Sequence, residues 1–276
     1  MKKMMHSANP KISILMPSFN QARYLEAAIS SILAQDYPNK ELIVIDGGST
    51  DGSLEIIKRH QSDLAYSVSE PDRGQAHALN KGLTHATGDI IGWLNSDDRY
   101  LPGAFSRVVQ AFLENPDAVA VHGDRIMIDR DGYVSGWTVL PAFDPATTGF
   151  NVCSETAFFR KSQGQELRFS ENLRFAIDLD FFCRLHRTGR FVKLPSYLGA
   201  FRCHSDNKSS TIQDVGRAEI EALWKEIFPA TPDGWQKQSP AGKLSMLLRF
   251  LRHPFTIALP YSYRRFFLGL RGLETR

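Results

Sequence analysis

Cysteine is scarce in this chain of 276 residues, and long apolar runs are missing. The three cysteines, Cys153, Cys183 and Cys203, form no C-x-x-C spacing, and their number is odd. This pattern argues against a disulfide framework or a zinc site and favours buried or incidental thiols in a reducing compartment. No stretch reaches the roughly 20 apolar residues that a membrane-spanning helix needs. The short apolar stretch that enters Pro17 does not have the form of a secretory signal, so we expect none.

The chain also lacks a strong net charge, which is only +3. A charge this small argues against a protein dedicated to binding nucleic acid. The excess is local, because residues 241–276 carry seven Lys or Arg and one Glu, a net of +6, interleaved with aromatic and aliphatic residues. This composition suits the interface of an anionic membrane. It equally suits a pair of helices packed against the domain, with the arginines at the rim.

The first hundred residues alternate between apolar runs of strand length and stretches with helical spacing. We expect strands near 12–16, 41–46, 64–69 and 89–95, and helices near 21–34, 53–60, 75–86 and 102–114. A regular alternation of strand and helix predicts an α/β fold with a mostly parallel central sheet flanked by helices.

The alternation changes after residue 116. The later residues predict a hairpin over 119–134, an irregular stretch over 137–151, a short strand at 156–160, a helix at 178–188, strands within 191–203, a helix near 214–228 and a linker over 229–242. The irregular stretch could line an acceptor site, since loops often carry function.

Paired carboxylates follow the fourth predicted strand. The apolar run that starts at Ile90 ends in Asn95-Ser96-Asp97-Asp98. Ligands of open α/β sheets gather at the carboxyl ends of the strands, and two acids there could hold a divalent cation that neutralises phosphate oxygens. The alternative is that Asp97 and Asp98 only cap the next helix or shape a turn.

Two further strands end in polar or flexible residues. The second strand runs into Asp46-Gly47-Gly48-Ser49, where the glycines permit close approach of a ligand and Asp46 could accept hydrogen bonds from a base or a ribose. The first strand leads into Pro17-Ser18-Phe19-Asn20. An ordinary strand–turn–helix corner is the alternative for each one, but three such corners in under 100 residues favour a common site.

The order and spacing of these motifs resemble glycosyltransferase family 2, with the GT-A fold of nucleotide-diphospho-sugar transferases. Besides the three corners, the matching segments are Glu70-Pro71-Asp72-Arg73-Gly74-Gln75, Ala78-Leu79-Asn80-Lys81-Gly82, Gly88-Asp89 and Asp178-Leu179-Asp180-Phe181. The resemblance implies contacts with the donor nucleotide at Pro17, Ser18, Asn20, Asp46, Gly48, Arg73, Gly74, Asn95, Asp97 and Lys208.

The resemblance also implies a divalent cation, Mn²⁺ or Mg²⁺. Asp98 is predicted as the direct carboxylate ligand, with Asp97 supporting the ribose or the sugar. Neutral imidazole suits a cation already held by carboxylate and phosphate, which makes His204 a candidate ligand. Lys208 would then meet the diphosphate as a point charge. The alternative for His204 and Lys208 is an ordinary surface loop.

Asp178 is the predicted general base, because it matches the catalytic-acid segment and opens an apolar helix whose surroundings would raise a carboxylate pKa. The family usually has two acids here, and Ile177 fills the first position in this chain. Asp180 would diverge from Asp178 on a helix. The alternative is that Asp178 caps the helix and Asp180 is a surface charge.

Together these features predict an inverting, metal-dependent glycosyltransferase that assembles a surface polysaccharide or glycoconjugate. The donor would be a UDP-sugar in preference to a GDP- or dTDP-sugar, and the acceptor a glycan or a lipid-linked glycan. The predicted organisation is an extension at 1–10, a GT-A domain at 11–212 and a helical basic tail at 213–276. The predicted location is cytoplasmic, peripheral on the inner face of the cell membrane through the tail.

Two other functions remain open at this stage. A sugar nucleotidyltransferase uses a similar sheet and a metal, but it usually carries a glycine-rich basic loop after the first strand, which Pro17-Ser18-Phe19-Asn20 is not. A catalytically inactive module that binds a glycan or scaffolds a membrane complex is the second alternative. Retention of Asp98 and Asp178 argues against it.

Overall fold

The computed structural model describes residues 9–145 and 152–227, apart from the side chains of 164, 165 and 227. The strands are β1 (Ile12–Ser18), β2 (Lys40–Asp46), β3 (Tyr66–Ser69), β4 (Ile90–Trp93), β5 (Arg99–Tyr100), β6 (Ala118–Ile128), β7 (Val134–Thr138), β8 (Ala157–Arg160) and β9 (Arg190–Arg202). The helices are α1 (Ala22–Leu33), α2 (Ser53–Arg59), α3 (Gln75–His85), α4 (Ala104–Glu114), α5 (Lys161–Leu167), α6 (Ile177–His186), α7 (Lys208–Thr211) and α8 (Gln213–Ile227), with a 3₁₀ turn at Ser154–Thr156.

The first half of the sheet is parallel, as the sequence predicted. β1 lies between β2 and β4, and β3 pairs with the outer edge of β2, all in parallel. Successive residues of a strand point to opposite faces. Ile14 therefore packs on one side of the sheet with α1 and α4, and Leu15 packs on the other with α3 and α6. Both faces are covered, so the strands read as continuous apolar runs.

The second half of the sheet is mixed, which the alternation of elements did not predict. The order is β3-β2-β1-β4-β8-β6-β9-β5, with β7 on β6. β8 runs antiparallel to both β4 and β6, whereas β6 and β9 are parallel. The predicted hairpin is present between β6 and β7, but β6 is one strand of 11 residues instead of two short ones.

The short strand β5 fixes the acid pair within the fold. β5 starts directly after Asp98 and pairs antiparallel with β9, with Arg99 opposite Ala200 and Tyr100 opposite Gly199. The backbones of Gly199 and Glu155 are so close that a Cβ at Gly199 would lie 2.3 Å from the carbonyl oxygen of Glu155. This pairing places the end of β9 beside Asp97 and Asp98.

The predicted helix near 214–228 is α8, and it packs on the domain. The Glu219 carboxylate accepts hydrogen bonds from the backbone N–H groups of residues 174–176, just before α6. Leu223 is buried in the same core as Phe181. The predicted linker at 229–242 and the basic segment 241–276 lie outside the described residues. None of the described helices is both long and apolar enough to cross a membrane.

Candidate active site

The loops after β1 and β2 form a single ledge. The Asn20 backbone N–H donates to Ser49 Oγ at 2.7 Å, and Asn20 Oδ1 accepts from the Thr50 N–H at 2.9 Å. Asn20 has a φ of +52°, a conformation that Asn tolerates better than most residues. The Asp51 carboxylate adds a bond from the Ala22 N–H at the start of α1. The loops after β1 and β2, two of the three predicted polar strand ends, are therefore hydrogen-bonded to each other.

The Asp46 carboxylate holds the turn after β2 through hydrogen bonds. Its carboxylate is fully buried and accepts from the N–H groups of Gly48 and Ser49 and from the hydroxyls of Ser49 and Ser69. Gly48 has a φ of +83°, which the tight turn requires. The predicted contact of Asp46 with a base or ribose stays a prediction, but its oxygens already have four donors in the folded chain.

An exposed aromatic ring stands on the ledge. Phe19 is 60% exposed, although most large apolar side chains of the described residues are buried. A Cβ at Gly47 would lie 3.2 Å from the Phe19 ring and 3.0 Å from Asp72 Oδ2, so the ring and the carboxylate flank the same backbone. Pro17 and Ser18 lie beneath, within β1. Ser18 Oγ is buried, with no hydrogen-bond partner in the described part of the chain.

Arg73 and Gly74 follow Asp72, whose carboxylate lies beside Gly47 in the ledge. The Arg73 guanidinium donates to Glu171 at 2.6 Å and is largely exposed. Gly74 has a φ of +111°, and its N–H donates to Asp72 Oδ1 at 2.7 Å. The left-handed turn before α3 thus holds the Asp72 carboxylate, a residue for which sequence analysis predicted no role.

A chain of side-chain hydrogen bonds crosses the ends of the strands. Lys208 Nζ donates to Gln75 Oε1 at 2.6 Å, and Gln75 Nε2 donates to Asn95 Oδ1 at 2.6 Å. Asn95 Nδ2 continues to Asp98 Oδ2 at 3.3 Å. Burial lowers the pKa of Lys208 despite nearby carboxylates that raise it. The structure therefore brings the predicted residues Asn95, Asp98 and Lys208 together through Gln75, which sequence analysis missed.

Asp98 faces the protein interior. The side chain is fully buried, and Oδ1 accepts from the backbone N–H of Arg202 at 2.9 Å. Burial raises the pKa of Asp98 well above its ordinary value, and the neighbouring Asp97 and Glu155 raise it further. A carboxyl in this position is biased toward its neutral form. A bound cation would favour the ionised form instead, so the assignment of Asp98 as the direct ligand stays a prediction.

Asp97 faces His204. Its Oδ2 atom lies 3.0 Å from His204 Nε2 and 3.1 Å from Asn207 Nδ2. The other side of the imidazole packs on Tyr24, with ring centroids 4.8 Å apart. Arg202 Nε donates to the Asp97 carbonyl oxygen at 2.9 Å, which fixes the backbone as well. The geometry therefore favours Asp97, in place of Asp98, as the partner of His204.

Asp178 lies at the start of α6 in a cavity of about 150 Å³. The other lining residues are apolar: Phe143, Val152, Phe175, Ala176, Leu179, Phe182 and Ile220. Burial raises the pKa of Asp178, while the N–H of Leu179 and the charges of Arg125 and Lys208 act in the opposite direction. A partly exposed carboxylate with a raised pKa and an apolar surround has the properties of a general base.

Asp180 is committed to a structural ion pair. Its two oxygens accept from Arg184 Nε and Nη2, and Arg184 also donates to the carbonyls of Leu167 and Arg168. The sequence prediction that Asp178 and Asp180 diverge agrees with these contacts. Asp180 is 8% exposed, however, so it is not the surface charge that the alternative described.

The neighbourhood contains a second buried acid that sequence analysis did not identify. Glu155 is 2% exposed, and its Oε1 atom lies 3.5 Å from Arg125 without a hydrogen bond. Burial raises the pKa of Glu155, against the lowering effect of Arg125, and Asp178 raises it further. No group of three or more His, Cys, Asp or Glu side chains within 9–145 and 152–227 forms a complete cation cage.

Solved structures share this fold. S. aureus TarS 1–349 in complex with UDP-GlcNAc matches with a TM-score of 0.61 at 18% identity, over 88% of this chain and 73% of that one. Mannosyltransferase PcManGT from Pyrobaculum calidifontis, in complex with GDP-Man and Mn2+, matches with a TM-score of 0.61 at 22% identity, over 90% of this chain and 71% of that one. The fold is therefore the predicted GT-A glycosyltransferase fold.

The family follows from the sequence comparisons. The model of glycosyl transferase family 2 matches residues 13–174, and the chain belongs to this family. EpsE of Bacillus subtilis, which carries a provisional glycosyltransferase name, is 33% identical over 193 residues, 66% of this chain and 69% of its own length. Membership of this family agrees with the prediction of an enzyme that transfers sugars.

Other relatives are longer than this chain. An uncharacterized glycosyltransferase of Nostoc is 36% identical over 122 residues, 43% of this chain and 38% of its own length. Chondroitin synthase of Pasteurella multocida is 28% identical over 205 residues, 72% of this chain but only 21% of its own length. The activities of those whole proteins therefore do not transfer directly.

Proposed function

We propose that the protein is an inverting, metal-dependent glycosyltransferase that moves a sugar from a nucleoside-diphospho-sugar to an acceptor hydroxyl. The observation that carries the proposal is the 3.0 Å contact between Asp97 Oδ2 and His204 Nε2 at the carboxyl end of β4. It sits beside the ledge built by the loops after β1 and β2. Strand ends of this kind are where α/β folds bind nucleotides.

The Asp97–His204 pair fits a divalent cation. Asp97 Oδ2 and His204 Nε2 lie at hydrogen-bond distance, 3.0 Å, and a carboxylate and an imidazole are ligand types that would together hold Mn²⁺ or Mg²⁺. The Asp206 N–H donates to His204 Nδ1 at 3.3 Å, so Nε2 carries the proton of the neutral ring, and a cation at Nε2 would require that proton to leave it. Two protein ligands leave positions for phosphate oxygens. A bound Mn²⁺ or Mg²⁺ would neutralise charge on the leaving diphosphate.

The ledge supports a nucleotide as the donor. Phe19 offers an exposed ring on which a base could stack, and Asp72 lies beside it to accept a hydrogen bond. Lys208 and Arg73 supply positive charge along the same edge. The structures of TarS in complex with UDP-GlcNAc and of PcManGT in complex with GDP-Man and Mn2+ support the donor class and the cation. We favour a UDP-sugar over GDP- and dTDP-sugars.

Asp178 removes the proton in the transfer step. The acceptor O–H gives its proton to the Asp178 carboxylate while the acceptor oxygen bonds to the anomeric carbon. The bond from that carbon to the diphosphate oxygen breaks, and its electron pair leaves with the nucleoside diphosphate. A single displacement inverts the anomeric centre. The apolar wall around Asp178 raises its basicity and restricts access of water, which would otherwise compete as the acceptor.

The acceptor is proposed to be a glycan or a lipid-linked glycan, within polysaccharide or glycoconjugate assembly. The similarity to chondroitin synthase supports this class. Aromatic side chains in the Asp178 cavity could pack on the apolar face of a sugar or on an aglycone. A cytoplasmic location, peripheral on the membrane through residues 241–276, stays a prediction because that segment lies outside the described residues.

Donor hydrolysis tests the proposal without a known acceptor. The protein is incubated with UDP-, GDP- and dTDP-sugars, with Mn²⁺ or with chelator, and released nucleoside diphosphate and pyrophosphate are measured separately. We expect metal-dependent release of nucleoside diphosphate, and its loss in Asp178→Asn. Release of pyrophosphate would indicate the nucleotidyltransferase alternative. Donor binding without release of either product would indicate the catalytically inactive module.

A further inference from the structure

A second and larger cavity lies behind the Asp97–His204 pair. Its volume is about 690 Å³, and four arginines line it: Arg23, Arg99, Arg130 and Arg202. Tyr24 is the wall shared with the candidate active site, because its ring contacts His204 on one side and lies 4.8 Å from the Arg202 guanidinium. We call this cavity the arginine cleft. It is formed by α1, β5, the end of β9 and the turn between β6 and β7.

The two carboxylates of the arginine cleft already have basic partners. Asp131 lies 3.0 Å from Arg23, and Glu26 lies 2.7 Å from Arg59 and 2.6 Å from His60. Neither carboxylate pairs with Arg130 or Arg202. Glu26 and Asp131 therefore do not neutralise Arg130 or Arg202.

Arg202 is the clearest sign of a missing anion. Its side chain is 2% exposed, and among residues 9–145 and 152–227 its Nε and Nη1 atoms donate only to carbonyl oxygens, those of Asp97, Asp129 and Arg130. Burial lowers the pKa of Arg202, and the charges of Asp98, Asp97 and Asp129 act in the opposite direction without forming an ion pair with the guanidinium. An anion in the cleft would add a direct partner for this buried cation. Arg130 lies at the exposed rim, where it can meet the same anion.

We propose that the arginine cleft binds the phosphoryl group of a second ligand, separate from the sugar donor. Planar guanidinium groups match the oxygens of phosphate and bind them through paired hydrogen bonds. The volume lies within the range of about 300–1,000 Å³ of small-molecule sites, so there is room for an organic portion beyond the phosphate. The ligand is therefore a phosphorylated small molecule or the phosphorylated headgroup of a lipid.

The position of Arg202 connects the two sites. Its backbone N–H holds Asp98 and its side chain holds the Asp97 carbonyl, while its guanidinium lines the arginine cleft. Because this guanidinium is hydrogen-bonded to the Asp97 carbonyl, an anion that binds it would also hold the Asp97 backbone in place. The cleft therefore stabilises the strand end that presents the acid pair.

Calorimetry with inorganic phosphate tests the proposal on the whole chain, in chelator so that the donor site cannot bind phosphate through a cation. The test variant is Arg23→Gln with Arg130→Gln, two exposed residues with no role in transfer. The control is Arg190→Gln, an exposed arginine that pairs with Asp117 outside the cleft. We expect the double variant to bind phosphate at least about tenfold more weakly than the parent and the control.

A second arm separates the sources of the phosphate. Sedimentation with phosphatidylcholine vesicles, with and without phosphatidic acid, is measured for the same three proteins. Binding in either arm that requires Arg23 and Arg130 supports the proposal, and the arm in which it occurs identifies a free or a lipid-borne phosphate. Absence of binding in both arms, or an equal loss in Arg190→Gln, overturns it. Neither readout depends on sugar transfer.

Discussion

His204 Nε2 lies 3.0 Å from Asp97 Oδ2, although 107 positions separate the two residues. The contact depends on the pairing of β5 with β9, which brings the residues after Asp98 against the end of the last strand. Arg202 strengthens it from below, by holding the carbonyl of Asp97 and the carboxylate of Asp98. The two neighbouring acids therefore have different roles. Asp98 anchors the turn inside the protein, and Asp97 faces His204 and Asn207.

Substitution of Asp178 is expected to affect turnover, whereas substitution of Asp180 is expected to affect stability. A general base acts in the transition state, so Asp178→Asn should lower turnover by about 10²–10⁴-fold and leave donor affinity and thermal stability nearly unchanged. Asp180→Asn should instead break the pair with Arg184 and lower the free energy of unfolding by about 1–3 kcal/mol, with turnover largely retained. Turnover, calorimetry and thermal melts on both variants are the measurements. The reverse pattern would show that the base is Asp180.

The rate of transfer should depend on pH through Asp178. The base must be ionised, so activity is lost as the pH falls through its pKa, which burial places above the ordinary aspartate value of about 4. The charge of Lys208 lowers that pKa, so Lys208→Gln should move the acid limb of the kcat profile to higher pH. Lys225→Gln, an exposed lysine of α8, is the matched control. An acid limb that stays in place in Lys208→Gln would contradict the assignment.

Glu41 should make the fold sensitive to acid. Burial raises its pKa, but hydrogen bonds from Lys11, Ser13 and Thr87 outweigh burial and bring the pKa down from 4.5 to about 2. A lowered pKa means that stability is present above about 4.5 and is lost as the pH falls toward 2. The shift corresponds to about 3 kcal/mol at neutral pH.

Glu41→Gln should therefore lower the free energy of unfolding by about that amount at pH 7. The difference from the parent should shrink below pH 4.5. Urea melts across this range measure it, with Glu55→Gln as the control for an exposed carboxylate. A difference that does not change with pH would show that the Glu41 hydrogen bonds contribute through packing and not through charge.

The parallel half of the fold could be predicted because its signals are local. β1, β2 and β4 are short apolar runs, and stretches with apolar residues at helical spacing alternate with the strands. The three polar corners could be placed at one edge, since parallel strands end on the same side. The ledge that joins Asn20 to Ser49 and Thr50 agrees with that expectation.

The rest required contacts between distant residues. β5 has two residues, too few for any periodicity, and its partner β9 lies about 100 positions later. Without that pairing, nothing in Asp97-Asp98 indicates which acid points inward. The buried charges of Arg202 and Glu155 were missed for the same reason, because burial of a charged residue depends on tertiary packing and leaves no local pattern.

Asp97 and His204 are proposed to bind together the cation that holds the donor diphosphate. Calorimetric titration of UDP in Mn²⁺ and in chelator, on the parent, Asp97→Asn and Asp98→Asn, measures their contribution. We expect Asp97→Asn to lose the metal-dependent part of the affinity, at least about tenfold, which is about 1.4 kcal/mol. Asp98→Asn should keep that part, because Asn resembles the neutral form that burial favours for Asp98. Full metal-dependent affinity in Asp97→Asn, with its loss in Asp98→Asn, would show that Asp98 is the cation ligand and Asp97 is not.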